Sequence, residues 1–292
     1  MDIDGNKEIT ELTLKEFAGD LKQRVIDLIG PYSVGLLGVF EGKTEDEVAF
    51  VASGTLAEID GNKGILTAQH VSDMIRPRTC KYLGLMLSAR EPRVVIDTTY
   101  FQKPIAMTRT VNRGKGPDLS FVVLPDTPEL SWLKAKKSFY MLSREREDML
   151  NEVDTLVSCC WALFGCPFER TEVEYKCATR IKELQVQGMI ALSNVENEWS
   201  EGGYDYVDVA VRYGPDDTGP VDFGGVSGGG LWLLPLRKNL NTGLVECERA
   251  HLCGVAFFQT DRERVPKSIR CHGSQSIYKH LVPKVIASCS TA

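Results

Sequence analysis

Short apolar segments cut by turn residues constrain this chain more than any other feature. SVGLLGVF (33–40), VAFVASGTLAEI (48–59), GILTA (64–68), YLGLMLS (82–88), RVVIDTTYF (93–101) and LSFVVL (119–124) come first. TLVSCCWALF (155–164), residues 184–192, YDYVDVAVR (204–212), GLWLLPL (230–236) and LCGVAFF (252–258) follow. Each has strand length, and Asp60-Gly61-Asn62-Lys63-Gly64 is the kind of sequence that turns a hairpin. Alternation in 204–212 puts Val207, Val209 and Val211 on one face, with Tyr206, Asp208 and Ala210 opposite. The strand–helix alternation of a doubly wound sheet is missing. The expected class is therefore mainly β, a barrel or sandwich.

Helical periodicity occurs in a few places. Thr13 and Glu16 form a capping box, and Leu14, Phe17, Leu21, Val25 and Leu28 share one face, predicting an amphipathic helix over 13–29. Gly30 and Pro31 end it. Segments 128–151 and 274–288 also read as helices. The first would connect two strand-rich halves, with a boundary within 125–150.

Net charge is −6, which argues against a general nucleic-acid-binding role. No apolar run approaches the ~20 residues that span a bilayer. The start MDIDGNKEITEL is polar and acidic, so the expected compartment is the cytoplasm, with no membrane partner. The nine cysteines include no CxxC pair, so they read as reduced core residues rather than disulfides or zinc ligands. No metal or organic cofactor is implied.

Three stretches carry the chemistry. Ile65-Leu66-Thr67-Ala68-Gln69-His70 ends an apolar strand on a histidine. Gly116-Pro117-Asp118 delivers an aspartate just before another. Gly225-Val226-Ser227-Gly228-Gly229 surrounds one serine with glycines. Singly these are weak signals; together they supply a nucleophile, a base and a carboxylate that orients the base. A phosphate-binding role for the glycine loop is disfavoured. The chain has no GxxxxGK[ST], and GGVSGGG runs into the apolar stretch LWLLP rather than opening a helix.

The segments SGTLAEIDGNKGILTAQHV (53–71), GPDLSFVVLP (116–125), GGVSGGGLW (224–232) and CGVAFFQ (253–259) resemble the trypsin-like, chymotrypsin-fold serine peptidases, in the family's order. The resemblance implies two packed six-stranded antiparallel β-barrels with an added N-terminal helix and a C-terminal helix. Residues 1–30 would form the helical extension and 31–292 the peptidase domain. Within it the first barrel would cover 31–125, the linker 126–150, the second barrel 151–273 and the helix 274–288. It implies a catalytic triad of His70, Asp118 and Ser227, and an oxyanion hole from the backbone of Gly225 and Ser227. Val221, Asp222, Phe257, Phe258 and Gln259 would contact a protein or peptide substrate.

The departures are specific. Val226 stands where digestive members carry an aspartate that pairs with a newly cut N-terminus, so activation by that route is not expected; bacterial and viral members commonly lack it. The expectation is a bacterial-type intracellular endopeptidase. Asp222 facing inward would favour a basic side chain and Val221 an apolar one, with a slight edge to apolar or small because Gln259 replaces a glycine. His251, His272 and His280 read as turn, strand or helix residues without a catalytic part. The competing reading is a catalytically silent fold that binds peptides or regulates a partner. A regulatory partner protein, or the N-terminal helix lying over the cleft, could restrain activity. In the second case deleting residues 1–30 would raise it.

Overall fold

A computed structural model describes residues 6–7, 20–42, 45–87, 94–107, 116–151, 159–176, 181–186, 188–212, 219–239, 245–261 and 267–290. The chain runs β1 (Asn6–Lys7), α1 (Asp20–Ile29), β2 (Ser33–Phe40), β3 (Glu47–Ile59), β4 (Asn62–Thr67), α2 (Gln69–Met74), β5 (Tyr82–Met86) and β6 (Val94–Asp97). It continues through β7 (Ile105–Ala106), β8 (Ser120–Val123), α3 (Pro128–Lys136), β9 (Tyr140–Met141), α4 (Leu142–Asn151), β10 (Cys159–Gly165), β11 (Thr171–Lys176) and β12 (Ile181–Val186). Then come β13 (Met189–Glu201), β14 (Tyr204–Arg212), β15 (Gly230–Pro235), β16 (Arg237–Asn239), β17 (Val245–Glu246), β18 (His251–Asp261) and β19 (Lys267–His272). A π-helical turn over Ser276–Leu281 leads into α5 (Val282–Cys289).

Two antiparallel sheets dominate. The first has the order β6-β5-β2-β3-β4-β8-β7. Strand β9 joins it in parallel on β3, pairing Tyr140 with Ala57. The second has six strands paired in a ring, β10-β13-β14-β19-β18-β15, with β15 back on β10. The six-strand expectation therefore fits the second sheet. The first has eight strands, because the connection contributes β9 and the two-residue β7 adds another. Smaller pieces are the β11–β12 hairpin and the set β1-β16-β17.

Most strand bounds fall within a few residues of the sequence reading. The Asp60-Gly61 turn is a tight left-handed corner, with φ of 48° and 81°. Three elements differ. The expected helical segment 128–151 is two helices, α3 and α4, with the short strand β9 between them. The expected strand 184–192 is the end of β12 and the start of the long β13. The segment 267–272 is a strand, where only a turn was read around His272. The capping box at Thr13 and Glu16 lies outside the described residues.

Apolar burial joins the two sheets. Trp232 is fully buried, stacked on Tyr32 at 5.8 Å and edge-on to Tyr140 at 5.2 Å. Leu21, Val25 and Ile29 of α1 belong to the same cluster, with Leu142 of α4 and Val285 of α5. The interior of the ring holds Leu163, Val209, Val211, Phe223, Val226 and Ile269. Among the described residues no disulfide joins the cysteines, and burial pushes the Cys166 thiol up to about 12. No described helix is long and apolar enough to cross a membrane.

Candidate active site

Strand β4 ends at Thr67, and α2 begins two residues later. His70 therefore sits in the first turn of α2, where backbone N–H groups lack helical acceptors. Ala68 has no side chain to cap them. The Asp118 carboxylate does that work from another part of the chain. Its Oδ1 accepts the His70 backbone N–H at 2.8 Å, and its Oδ2 meets His70 Nδ1 at 2.6 Å. One carboxylate thus fixes both the position of the helix turn and the rotation of the imidazole. The other ring nitrogen, Nε2, is left for chemistry.

Asp118 is 5% exposed. Burial alone would raise its pKa. The hydrogen bonds from His70 and the charges of His70 and His272 outweigh it and hold the carboxyl below its usual range. Its own N–H donates to Nε2 of His272 at 2.8 Å. His272 ends β19, is fully buried, and stacks on Phe257 at 4.6 Å. Burial pulls it down to about 4, against the opposing charges of Asp118 and Asp205. The ring is therefore neutral at pH 7 and able to accept. Sequence reading set His272 aside. A lone histidine carries no signal, although the alternation of Ile269 and Cys271 marks the strand that delivers it.

The serine turn is built from peptide orientations. In a trans peptide the C=O and the following N–H point opposite ways. The Gly224 carbonyl is held by Phe168 N–H at 2.7 Å, and the Val226 carbonyl by Gly229 N–H at 2.8 Å. The N–H groups of Gly225 and Ser227 are thereby turned away from these partners. Neither donates to another protein group among the described residues. Two donors two residues apart on the serine turn are thus left without a protein acceptor among the described residues.

Glycine is required at two points. Gly225 has φ of 91°, and a Cβ there would lie 2.6 Å from the Cys166 carbonyl oxygen. Gly228 has φ of 88°, and a Cβ would lie 2.1 Å from both Ser53 O and Thr67 Oγ1. Left-handed backbone and close approach both exclude a side chain. Val226 is buried against Gly165 in the apolar cluster of the ring, so apolar packing anchors the turn.

The turn is hung between the two sheets. Ser53 of β3 donates its N–H to Ser227 O at 3.0 Å and its Oγ to Gly225 O at 2.8 Å. Ser53 Oγ also accepts Cys166 N–H at 2.8 Å. On the other side Gly228 N–H donates to Ala256 O at 2.7 Å. Ser53 was not picked out from sequence, since a serine inside an apolar strand has no local mark.

The sequence-derived residues converge on one cleft of about 630 Å³. Its lining includes His70, Asp118, Ser227, Asp222, Phe257, Phe258 and Gln259, together with Phe40 and Met74. Gly225 and Val221 are the exceptions. Gly225 is buried behind the lining. Val221 is 64% exposed and outside the lining, because Glu169 holds its N–H at 2.9 Å with the side chain turned to the surface. The apolar pocket floor read from Val221 is thus not formed, and Asp222 faces the cleft instead. The Ser227 hydroxyl donates to the Phe257 carbonyl over 3.5 Å, a long contact, and not to His70.

Helix α1 contributes nothing to the cleft lining. Its apolar face is buried with Trp232 and α5, so the expectation that it covers the cleft is overturned for residues 20–29.

No model of a known protein family matches the chain, and no curated protein matches it.

Proposed function

We propose that the chain is a serine endopeptidase of the trypsin-like kind, its two sheets corresponding to that fold's two barrels. What carries this reading is one arrangement. A carboxylate-anchored histidine and a serine hydroxyl border a single cleft, and on the serine turn the N–H groups of Gly225 and Ser227 bond no protein acceptor among the described residues.

A substrate carbonyl oxygen would lie on the N–H groups of Gly225 and Ser227. Ser227 Oγ attacks the carbonyl carbon while its proton passes to His70 Nε2. Negative charge moves onto the carbonyl oxygen, where the two N–H donors meet it. Asp118 stabilises the imidazolium and keeps its tautomer. On collapse the C–N bond breaks, and the amine leaves with the proton from His70. Water, deprotonated by the same histidine, then cleaves the acyl-serine ester and releases the acid.

The second reading, a silent peptide-binding module, is favoured by one observation. Ser227 Oγ is directed at Phe257 O rather than at His70. Such contacts often tighten only when substrate is bound. A fluorophosphonate probe decides between the two. Covalent labelling of the wild type but not of Ser227→Ala is expected for the peptidase. A folded wild type that resists labelling is the module.

A further inference from the structure

We propose that the pocket beside Ser227 admits only a small uncharged side chain on the acyl side of the cut bond, because the Gln259 side chain ties the pocket's two walls together. The inference rests on the peptidase reading and narrows its substrate class.

With its carbonyl oxygen on Gly225 and Ser227, the substrate residue has one place for its side chain. That place lies between the loop 222–224 and the strand residues 257–259, both of which line the cleft. Gln259 crosses this space. Its Oε1 accepts the N–H of Phe223 at 3.0 Å, and its Nε2 donates to Val221 O at 3.3 Å. Both halves of the amide are used, and the side chain occupies the gap that a long substrate side chain would need.

The loop is also held from a second direction. The Glu169 carboxylate accepts the N–H groups of Val221 at 2.9 Å and Asp222 at 2.8 Å. Swinging the loop outward would break these bonds as well as those to Gln259. A basic substrate side chain meets a further obstacle. Asp222 lines the cleft, but its Oδ1 is already engaged by Gly224 N–H at 2.8 Å. What remains fits glycine, alanine or serine.

The test uses peptidyl diphenyl phosphonates that differ only in the group on phosphorus, mimicking Ala, Phe or Lys. Labelling rates are measured on the full chain. Wild type should react with the Ala analogue roughly tenfold or more faster than with either other probe, the scale on which a pocket sorts side chains by size. In Gln259→Gly the Phe analogue should gain about tenfold relative to Ala. A wild type that reacts with Phe or Lys as fast as with Ala overturns the proposal. So does an unchanged Ala-to-Phe ratio in a Gln259→Gly protein that a simple fluorophosphonate still labels. Failure of that simple probe on folded wild type sinks the peptidase reading itself, and the two failures are thereby distinguished.

Discussion

The backbone N–H of Asp118 donates to Nε2 of His272 at 2.8 Å, so a buried histidine stands behind the carboxylate that holds His70. His272 also stacks on Phe257, whose carbonyl receives the Ser227 hydroxyl. One side chain therefore supports both ends of the constellation. It touches neither substrate nor reacting atoms, and its part is to position.

Replacing it separates packing from hydrogen bonding. In His272→Leu the Asp118 N–H is left buried without an acceptor, which costs about 1–3 kcal/mol. His272→Gln offers an amide oxygen in its place. Urea unfolding should show the leucine variant as the less stable. Fluorophosphonate labelling should be slowed in it and substantially restored in the glutamine variant. Equal labelling in both would confine His272 to packing.

The same residue sets a pH dependence. Its pKa is about 4 in the folded protein and about 6.5 in the unfolded chain. Between these values the unfolded chain takes up a proton that the folded protein refuses. Stability therefore falls as pH drops from about 6.5 to about 4, by on the order of 3 kcal/mol in all. His251 is lowered too, by burial first and then by Arg249, and it adds a term of the same sign. The difference between wild type and His272→Gln isolates His272: the variant's stability should decline less over this window. Asp118 acts lower, since its depressed pKa preserves its contribution until pH falls through the carboxylate range.

Ser53 gives the third test. Its hydroxyl donates to Gly225 O and accepts from Cys166 N–H, in a fully buried position. Ser53→Ala removes both bonds and leaves the carbonyl and the N–H unpaired, at about 1–3 kcal/mol. The freed Gly225 carbonyl loosens the turn that aims the two backbone donors. Displacing one such donor costs on the order of 2.7–4 kcal/mol of barrier, so turnover should fall well beyond what the stability loss explains. Turnover per folded molecule, against denaturation midpoint, is the measurement.

Asp118→Asn tests the central pair directly. The amide can still accept the His70 backbone N–H, so the fold should hold. The ring then loses its anionic partner, and turnover should drop by roughly 10⁴ if the tautomer is lost as it is in the serine-peptidase template. Near-wild-type turnover would show that the Asp118 carboxylate is not needed for the proposed reaction.

What the sequence made legible was whatever is carried locally. His70, Asp118 and Ser227 lie at strand ends beside small residues, and a strand end aims a side chain into a cleft. The glycines at 225 and 228 announce backbone that no side chain tolerates. Partners brought by the fold were not legible. Ser53 lies 172 residues before Gly225, and His272 lies 154 after Asp118. Nothing in either neighbourhood names the other. Val221 and Asp222 failed in a related way. Adjacent residues on a loop face opposite directions, and Glu169, from the distant 3₁₀ turn ahead of β11, holds the loop in that orientation.

Helix α1 supplies the last prediction, and it reverses the one drawn from sequence. Had the helix lain over the cleft, removing residues 1–30 would have raised activity. Instead Val25 and Ile29 are fully buried, in a cluster with Tyr140, Trp232, Ile277 and Val285. That cluster lies under the connection and the C-terminal helix, away from the lining of the cleft. Removing residues 20–29 would expose this apolar surface rather than uncover a site. Ile29→Ala should cost about 2–5 kcal/mol, the range for emptying a buried position of this size. Labelling of Ser227 per folded molecule should stay at the wild-type rate, because no atom of the helix borders the nucleophile. A variant that labels several-fold faster without loss of stability would restore the covering role. A lower denaturation midpoint with unchanged labelling places α1 in the core.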